Sequence, residues 1–106
     1  MDRSISPADL KKLLRSSHVA LLDVRRKSDL DASRDKMLGA TWCDPDELVE
    51  WADKIPKYRE VVLYCVRGGS VSNSVVEALQ EKGVKARFIE GGIEGWKAAG
   101  GEVTQK

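Results

Sequence analysis

The sequence predicts a single α/β domain in which helices alternate with the strands of a parallel sheet. Three short apolar segments, residues 18–24, 60–64 and 86–89, have the length and the polar boundaries of strands that are buried on both faces. Segments with helical signals lie between them, and this alternation is typical of a parallel sheet. A chain of 106 residues is long enough for one modest core, so we expect residues 1–106 to form one domain.

The first helix is predicted to follow Ser6 and to end near Ser16 and Ser17. Ser6 is a good N-cap, and Pro7 suits the first helical position because its missing N–H would have no partner there. Asp9 adds a negative charge in the first turn, where the helix dipole favours it. These three residues therefore predict where the helix begins.

The other elements are predicted from turn and helix signals. Residues 25–36 are highly charged and lack a clear period, which indicates a loop with one helical turn around Asp29–Arg34. Residues 37–42 are expected to return to the core as an extended segment. Further helices are expected at residues 44–55, 71–82 and 93–99, and a frayed tail at residues 100–106.

Charge and hydropathy narrow the functional classes. Lys and Arg number 18 against 17 Asp and Glu, a formal net charge of +1. This balance argues against a nucleic-acid partner bound through a dense basic face. No apolar run approaches the roughly 20 residues that span a bilayer, and the polar N-terminus lacks the apolar core of a secretion signal. We therefore expect a cytoplasmic protein with no membrane partner.

Two cysteines, Cys43 and Cys65, and one histidine, His18, limit the thiol and metal chemistry. A structural zinc site needs about four Cys or His ligands, so no metal site is expected. A pair of cytosolic cysteines this far apart does not indicate a disulfide framework. Nothing around His18 indicates a general base, so a nucleophilic Cys65 would need another group to activate it.

Cys65 is the residue with the clearest chemical context, because an apolar strand leads into it and a glycine-containing turn leads from it into a helix. Ligands of parallel α/β sheets bind at the C-terminal ends of strands. The helix N-terminus faces the turn, and Gly68 and Gly69 allow backbone N–H groups to turn inward as an anion nest. Arg67 adds positive charge, and Ser70 is expected to cap the helix. The pattern predicts a thiol of lowered pKa in an anion pocket.

The position of the arginine indicates which anion chemistry fits. A phosphatase loop of the Cys-x5-Arg pattern uses an arginine, six residues after the cysteine, to hold the phosphate oxygens. That position is Val71 here, and the loop's arginine, Arg67, is only two residues after Cys65. A sulfur atom carried on Cys65 fits better, because sulfur exchange proceeds through attack by a thiolate.

Four segments match one family when they are taken together. They are Leu21-Leu22-Asp23-Val24-Arg25, Gly39-Ala40, Tyr64-Cys65-Val66-Arg67-Gly68-Gly69-Ser70 and Phe88-Ile89-Glu90-Gly91-Gly92-Ile93-Glu94-Gly95-Trp96. In these segments the chain resembles a single-domain rhodanese of the thiosulfate sulfurtransferase family. The resemblance extends roughly from Ile5 to Val103.

The resemblance implies a rhodanese-like three-layer fold, with a central five-stranded parallel sheet and helices on both faces. It implies that Cys65 takes a sulfane sulfur from thiosulfate or another persulfide donor and passes it to a thiol or protein acceptor. Asp23 and Arg25 would pack near the loop. No cofactor is implied, because the protein itself carries the sulfur. Backbone N–H groups of the loop would hold the persulfide or the leaving sulfite. These groups belong to Val66, Arg67, Gly68, Gly69 and Ser70.

Two alternatives stay open at this point. The domain could be a sulfur carrier or a protein-interaction module that turns over no small donor. Cys43 could form a disulfide with Cys65, although a packing role for Cys43 is the preferred interpretation.

Overall fold

The structure, a computed structural model, describes residues 3–16 and 18–105 and contains a five-stranded parallel sheet. The strands are β1 (Ser4–Ile5), β2 (Val19–Asp23), β3 (Asp35–Met37), β4 (Thr41–Trp42), β5 (Glu60–Tyr64), β6 (Lys85–Ile89) and β7 (Val103–Gln105). The helices are α1 (Pro7–Ser16), α2 (Lys27–Ala32), α3 (Leu48–Trp51), α4 (Ser70–Glu81) and α5 (Gly92–Ala98), with 3-10 turns at Pro45–Glu47 and Ala52–Lys54. The sheet order β1-β6-β5-β2-β4 confirms the predicted fold class.

β5 is the central strand of the sheet, and it explains why an unbroken apolar run predicted a strand. It pairs in parallel with β2 on one side and with β6 on the other. Residues Val61, Val62, Leu63 and Tyr64 are all fully buried. Because helices cover both faces, side chains pointing either way meet apolar neighbours, so no polar alternation is needed.

Two cores lie on opposite faces of the sheet. On one face, Val62 and Tyr64 pack with Leu10 of α1 and with Ile93 and Trp96 of α5. On the other, Val61 and Leu63 belong to a cluster that includes the buried α4 residues Val75, Val76 and Leu79. Successive β5 side chains thus face opposite helical layers. The arrangement is the three-layer one that the resemblance implied.

The start of α1 follows the prediction, but the start of α4 does not. The backbone N–H of Asp9 donates to Ser6 Oγ at 3.1 Å, which is the expected N-cap bond. The predicted end of α1 includes Ser17, which lies outside the described residues. In α4 the cap is Gly69, without a side-chain hydrogen bond, and Ser70 is already helical, so the predicted cap by Ser70 is wrong.

The predicted frayed tail is also wrong. Within residues 100–105, β7 pairs antiparallel with β3, and Met37 lies opposite Val103. Trp96 Nε1 donates to the carbonyl oxygen of Glu102 at 2.9 Å, and Val103 packs against the core around Met37. These contacts order a segment that has no strong local signal; Lys106 lies outside the description.

The structures of the charged segment (residues 25–36) and the extended segment (residues 37–42) agree with the prediction in outline but differ in detail. The helical turn is present as α2, which begins and ends two residues before the predicted 29–34. The extended residues are divided into β3, a turn containing Gly39, and β4, which pairs with β2. Among the helices described, none is long and apolar enough to cross a membrane.

Candidate active site

Cys65 directly follows β5, at the carboxyl edge of the sheet where ligands of parallel sheets bind. Its residue surface is 7% exposed, so the thiol lies at the base of the loop. Val66 and Gly68 are partly buried, whereas Arg67, Gly69 and Ser70 are exposed. The loop thus has a buried sulfur beneath an accessible rim.

The N-terminus of α5 holds the first two peptides of the loop. The N–H of Ile93 donates to the carbonyl oxygen of Cys65 at 3.0 Å, and the N–H of Glu94 donates to that of Val66 at 3.2 Å. In a trans peptide the next N–H points opposite to the carbonyl. The N–H groups of Val66 and Arg67 therefore point away from α5.

Gly92 makes this close contact possible. A Cβ at Gly92 would lie 2.5 Å from the carbonyl oxygens of Cys65 and Val66, and its φ is +62°. Gly68 has φ +73°, and a Cβ there would lie 3.1 Å from the backbone nitrogen of Gly91. Glycine is thus needed at Gly92 for backbone conformation and for space, and at Gly68 mainly for its left-handed backbone conformation.

The predicted lowering of the Cys65 pKa is confirmed, and the groups that cause it are partly those predicted. Burial raises the pKa of the Cys65 thiol, but the Ser72 hydroxyl and the backbone N–H groups of Gly69, Ser72 and Gly68 together lower it below its ordinary value. The Arg67 guanidinium is not among the groups that act on the thiol. The Ser72 hydroxyl is the largest single group that lowers the pKa, and the backbone N–H groups of the nest predicted from the glycines follow it.

Ser72 is the site residue that the sequence reasoning missed. It is fully buried, and its Oγ makes no hydrogen bond of ordinary geometry within the described chain, although it lies beside the Cys65 sulfur. The sequence carried a signal, because Ser72 shares its helix face with Val76 and Leu79. A serine in such an apolar stripe at the start of a helix points to a specific partner.

Asp23 and Arg25 form a buried ion pair at the end of β2. Arg25 Nη2 donates to Asp23 Oδ2 at 2.7 Å and to the carbonyl oxygen of Asp35 at 2.9 Å. Tyr64 Oη donates to Asp23 Oδ2 at 3.0 Å and accepts the N–H of Met37 at 3.1 Å. The network ties β2, β3 and β5 together one residue before Cys65, which supports a structural role.

The surroundings of Arg25 and Tyr64 strongly favour one protonation state of each side chain. Burial disfavours the charge of Arg25, but the hydrogen bond and negative charge of Asp23 outweigh it and raise the Arg25 pKa. Burial, and next the Asp23 charge, raise the pKa of Tyr64 far above its ordinary value. Arg25 therefore remains cationic and Tyr64 neutral across the physiological range.

Cys43 and His18 lie apart from Cys65. Cys43 follows β4, which β2 separates from β5, and both cysteines are free. Burial, and then the charge of Asp23, raise the pKa of the Cys43 thiol, so it is a poor nucleophile. His18 precedes β2 at the opposite edge of the sheet from Cys65. Within residues 3–16 and 18–105, no cluster of His, Cys, Asp and Glu could hold a metal ion.

A small groove borders the outer side of the loop. It encloses about 170 Å³ between the first turns of α4 and the segment that follows Asp44. Ser70 and Val71 form one wall, and Arg26 contributes a cation on the other side. Arg26 was not among the predicted site residues, although its position directly after β2 and Arg25 places it at the carboxyl edge.

Known proteins resemble this chain in both sequence and fold. The rhodanese-like domain profile matches residues 6–99. The thiosulfate sulfurtransferase GlpE of Coxiella burnetii is 30% identical, over 92% of this chain and 90% of that protein. GlpE of Tolumonas auensis is 33% identical, over 88% of this chain and 86% of that protein. A rhodanese-related protein from Thermoplasma volcanium superposes with a TM-score of 0.84 at 27% identity, covering 99% of this chain and 100% of that one. The chain therefore belongs to the rhodanese-like domain family.

Proposed function

We propose that this protein is a sulfurtransferase that moves a sulfane sulfur to a thiophilic acceptor through a persulfide on Cys65. The observation that carries the proposal is the cradle around one buried thiol, where backbone N–H groups of Gly68, Gly69 and Ser72 converge on the sulfur. Such a cradle favours negative charge on sulfur without a histidine or a metal. The named sulfurtransferases among its relatives support the same chemistry.

The first half of the cycle loads the sulfur. The Cys65 thiolate attacks the outer sulfur of thiosulfate or of another persulfide donor. A bond forms between Sγ and that sulfur, the donor's S–S bond breaks, and the electron pair leaves with sulfite or with the donor thiolate. The persulfide carries its negative charge on the outer sulfur, where the loop N–H groups can stabilise it.

The exposed rim of the loop would receive the donor. Arg67 is exposed and forms no ion pair with the described residues, so its charge is available to an anion. The N–H groups of Val66 and Arg67 point away from α5, and Ser70 is an exposed residue. We assign donor binding to the loop residues Val66, Arg67, Gly68, Gly69 and Ser70. Asp23 and Arg25 act by holding the framework beneath them.

A second function, that of a sulfur carrier or interaction module, is favoured by one observation. The loop offers one cationic side chain, and its neighbour Val66 is apolar, so a dianion such as thiosulfate meets few charges. A protein-bound persulfide donor would not need a second cation. Two free cysteines fit a reducing compartment, and we place the protein in the cytoplasm on that basis.

Intact-protein mass spectrometry after thiosulfate treatment, repeated after cyanide, tests the proposal. We expect Cys65 to gain one sulfur atom and to lose it to cyanide as thiocyanate. Cys65→Ser should gain none, while Cys43→Ser, the matched control, should behave as the native protein. If Cys65 stays alkylatable and unloaded with thiosulfate but loads from a protein persulfide, the carrier function replaces thiosulfate turnover. Loading that persists in Cys65→Ser contradicts both.

A further inference from the structure

The Ser72 side chain is a polar group in an apolar setting beside the reactive sulfur. It lies in the first turn of α4 and is fully buried. Its Oγ forms no ordinary hydrogen bond to any atom in residues 3–16 or 18–105. A buried hydroxyl without such a bond costs free energy, and native proteins keep few groups of this kind. Each such group calls for an explanation, and a catalytic role is a recognised one.

The group that Ser72 acts on is the sulfur of Cys65. Ser72 contributes both its hydroxyl and its backbone N–H to the surroundings of that sulfur. The other donors, from Gly68 and Gly69, are backbone groups. The cradle therefore contains one side-chain donor, which a substitution can remove while the backbone stays in place.

We propose that the Ser72 hydroxyl is a catalytic group for unloading, where it stabilises the thiolate that Cys65 becomes as the persulfide gives up its outer sulfur. The inference rests on the function proposed above. In this half, the acceptor attacks the outer sulfur, a bond forms between acceptor and sulfur, and the Sγ–S bond breaks. The electron pair of the broken bond stays on Sγ. A hydroxyl donor stabilises that growing charge and keeps its own proton.

In loading, the same hydroxyl has the opposite effect on the rate. When the Cys65 thiolate attacks a donor, its negative charge leaves Sγ, so a hydrogen bond to the thiolate lowers its intrinsic nucleophilicity. The same bond raises the fraction of thiol that is ionised near neutral pH. Above the pKa of the thiol only the loss of nucleophilicity remains. Ser72 should then speed unloading and slightly slow loading, an asymmetry that a purely structural serine would not produce.

Ser72→Ala, with Ser74→Ala as matched control, tests the proposal. Ser74 is an exposed serine on the same helix, and alanine suits both positions because it has the highest helix propensity. The two halves are timed separately by rapid quench and mass spectrometry, with thiosulfate for loading and cyanide for unloading. In Ser72→Ala we expect unloading to slow about tenfold, the loss expected when one hydrogen bond to a charged group is removed. Loading at alkaline pH should be equal or faster, and Ser74→Ala should match the native protein in both halves.

The reaction of reduced Cys65 with iodoacetamide provides a readout that needs no persulfide. Removal of the hydroxyl should move the pH profile of this alkylation upward in Ser72→Ala and leave it in place in Ser74→Ala. If the native protein never loads sulfur, the proposed function fails and the unloading role of Ser72 fails with it, whereas the alkylation profile decides separately whether the Ser72 hydroxyl stabilises the Cys65 thiolate. An unchanged profile, or equal slowing of loading and unloading, overturns the proposal.

Discussion

The backbone nitrogen of Ile93 and the carbonyl oxygen of Cys65, 3.0 Å apart, form the hydrogen bond that fixes Cys65 to α5. With the similar bond from Glu94 to Val66, it turns two carbonyl groups toward α5 and their neighbouring N–H groups away from it. The glycine pair before Ile93 is therefore part of the machinery that shapes the Cys65 loop. Trp96, four residues later in the chain than Gly92, secures the same helix by packing into the core.

Gly92→Ala should displace this loop, because the added Cβ would lie 2.5 Å from two loop carbonyls. We expect the N–H groups to move off the sulfur, the Cys65 pKa to rise, and alkylation at neutral pH to slow several-fold. Site-resolved alkylation rates check this. Gly83→Ala is the control, since Gly83 has a similar φ of +86° but lies away from the loop and would meet only Lys57 at 4.0 Å. If both variants slow Cys65 equally, backbone strain alone is responsible.

Tyr64→Phe should lower the free energy of unfolding by about 1–3 kcal/mol, because it leaves the Met37 N–H without its acceptor and removes a donor from Asp23. Urea denaturation measures the change. Tyr58→Phe is the control: Tyr58 is 83% exposed, and its change should stay within about 0.5 kcal/mol. Equal changes in the free energy of unfolding for the two variants would contradict a stabilising role for the Tyr64 hydrogen bonds.

The sequence was most informative where a side chain's surroundings follow from local pattern. The apolar run Val61–Tyr64 predicted the central strand, because burial on both faces leaves no polar position. The Ser6 cap predicted the start of α1 for a similar reason, since the cap bond spans only three residues.

The errors arise where distant segments decide the structure. Gly69 replaces Ser70 as the cap of α4 because the neighbouring loop is docked on α5, and local propensity does not decide its conformation. β7 exists because Met37, far away in the chain, supplies its pairing partner. We predicted that the charge of Arg67 lowers the Cys65 pKa because Arg67 lies in the loop. The side chain that lowers this pKa is instead that of Ser72, which is buried in α4.

The thiols of Cys65 and Cys43 should react with iodoacetamide over different pH ranges. The Cys65 pKa is lowered and the Cys43 pKa is raised, so Cys65 should react with iodoacetamide at a lower pH than Cys43. Quantitative mass spectrometry of the two labelled peptides, with native protein at each pH, tests this order. Coincident profiles, or an earlier reaction of Cys43, would contradict it.

The same shifts predict opposite contributions to stability. A lowered folded-state pKa means that the Cys65 contribution is present above the unfolded thiol pKa and is lost as pH falls through the folded value. The raised pKa of Cys43 reverses the sign, so its contribution is present below the unfolded pKa and is lost as pH rises through the folded value. The destabilisation caused by Cys65→Ser should therefore grow toward alkaline pH, where that caused by Cys43→Ser should shrink. Urea denaturation of both variants across this pH range checks the signs.

Arg67→Ala should weaken donor binding without altering the thiol. The guanidinium is exposed and is not among the groups that act on Cys65, so the alkylation profile of Cys65 should stay in place. The KM for thiosulfate should rise about three- to fivefold at low salt, as expected for an exposed charge, and the difference from native should shrink as salt screens it. Arg34→Ala removes an exposed arginine shortly after α2 and controls for net charge. An equal KM for the native protein and Arg67→Ala would exclude the guanidinium from donor binding, whereas a shifted alkylation profile would show that it acts on the sulfur.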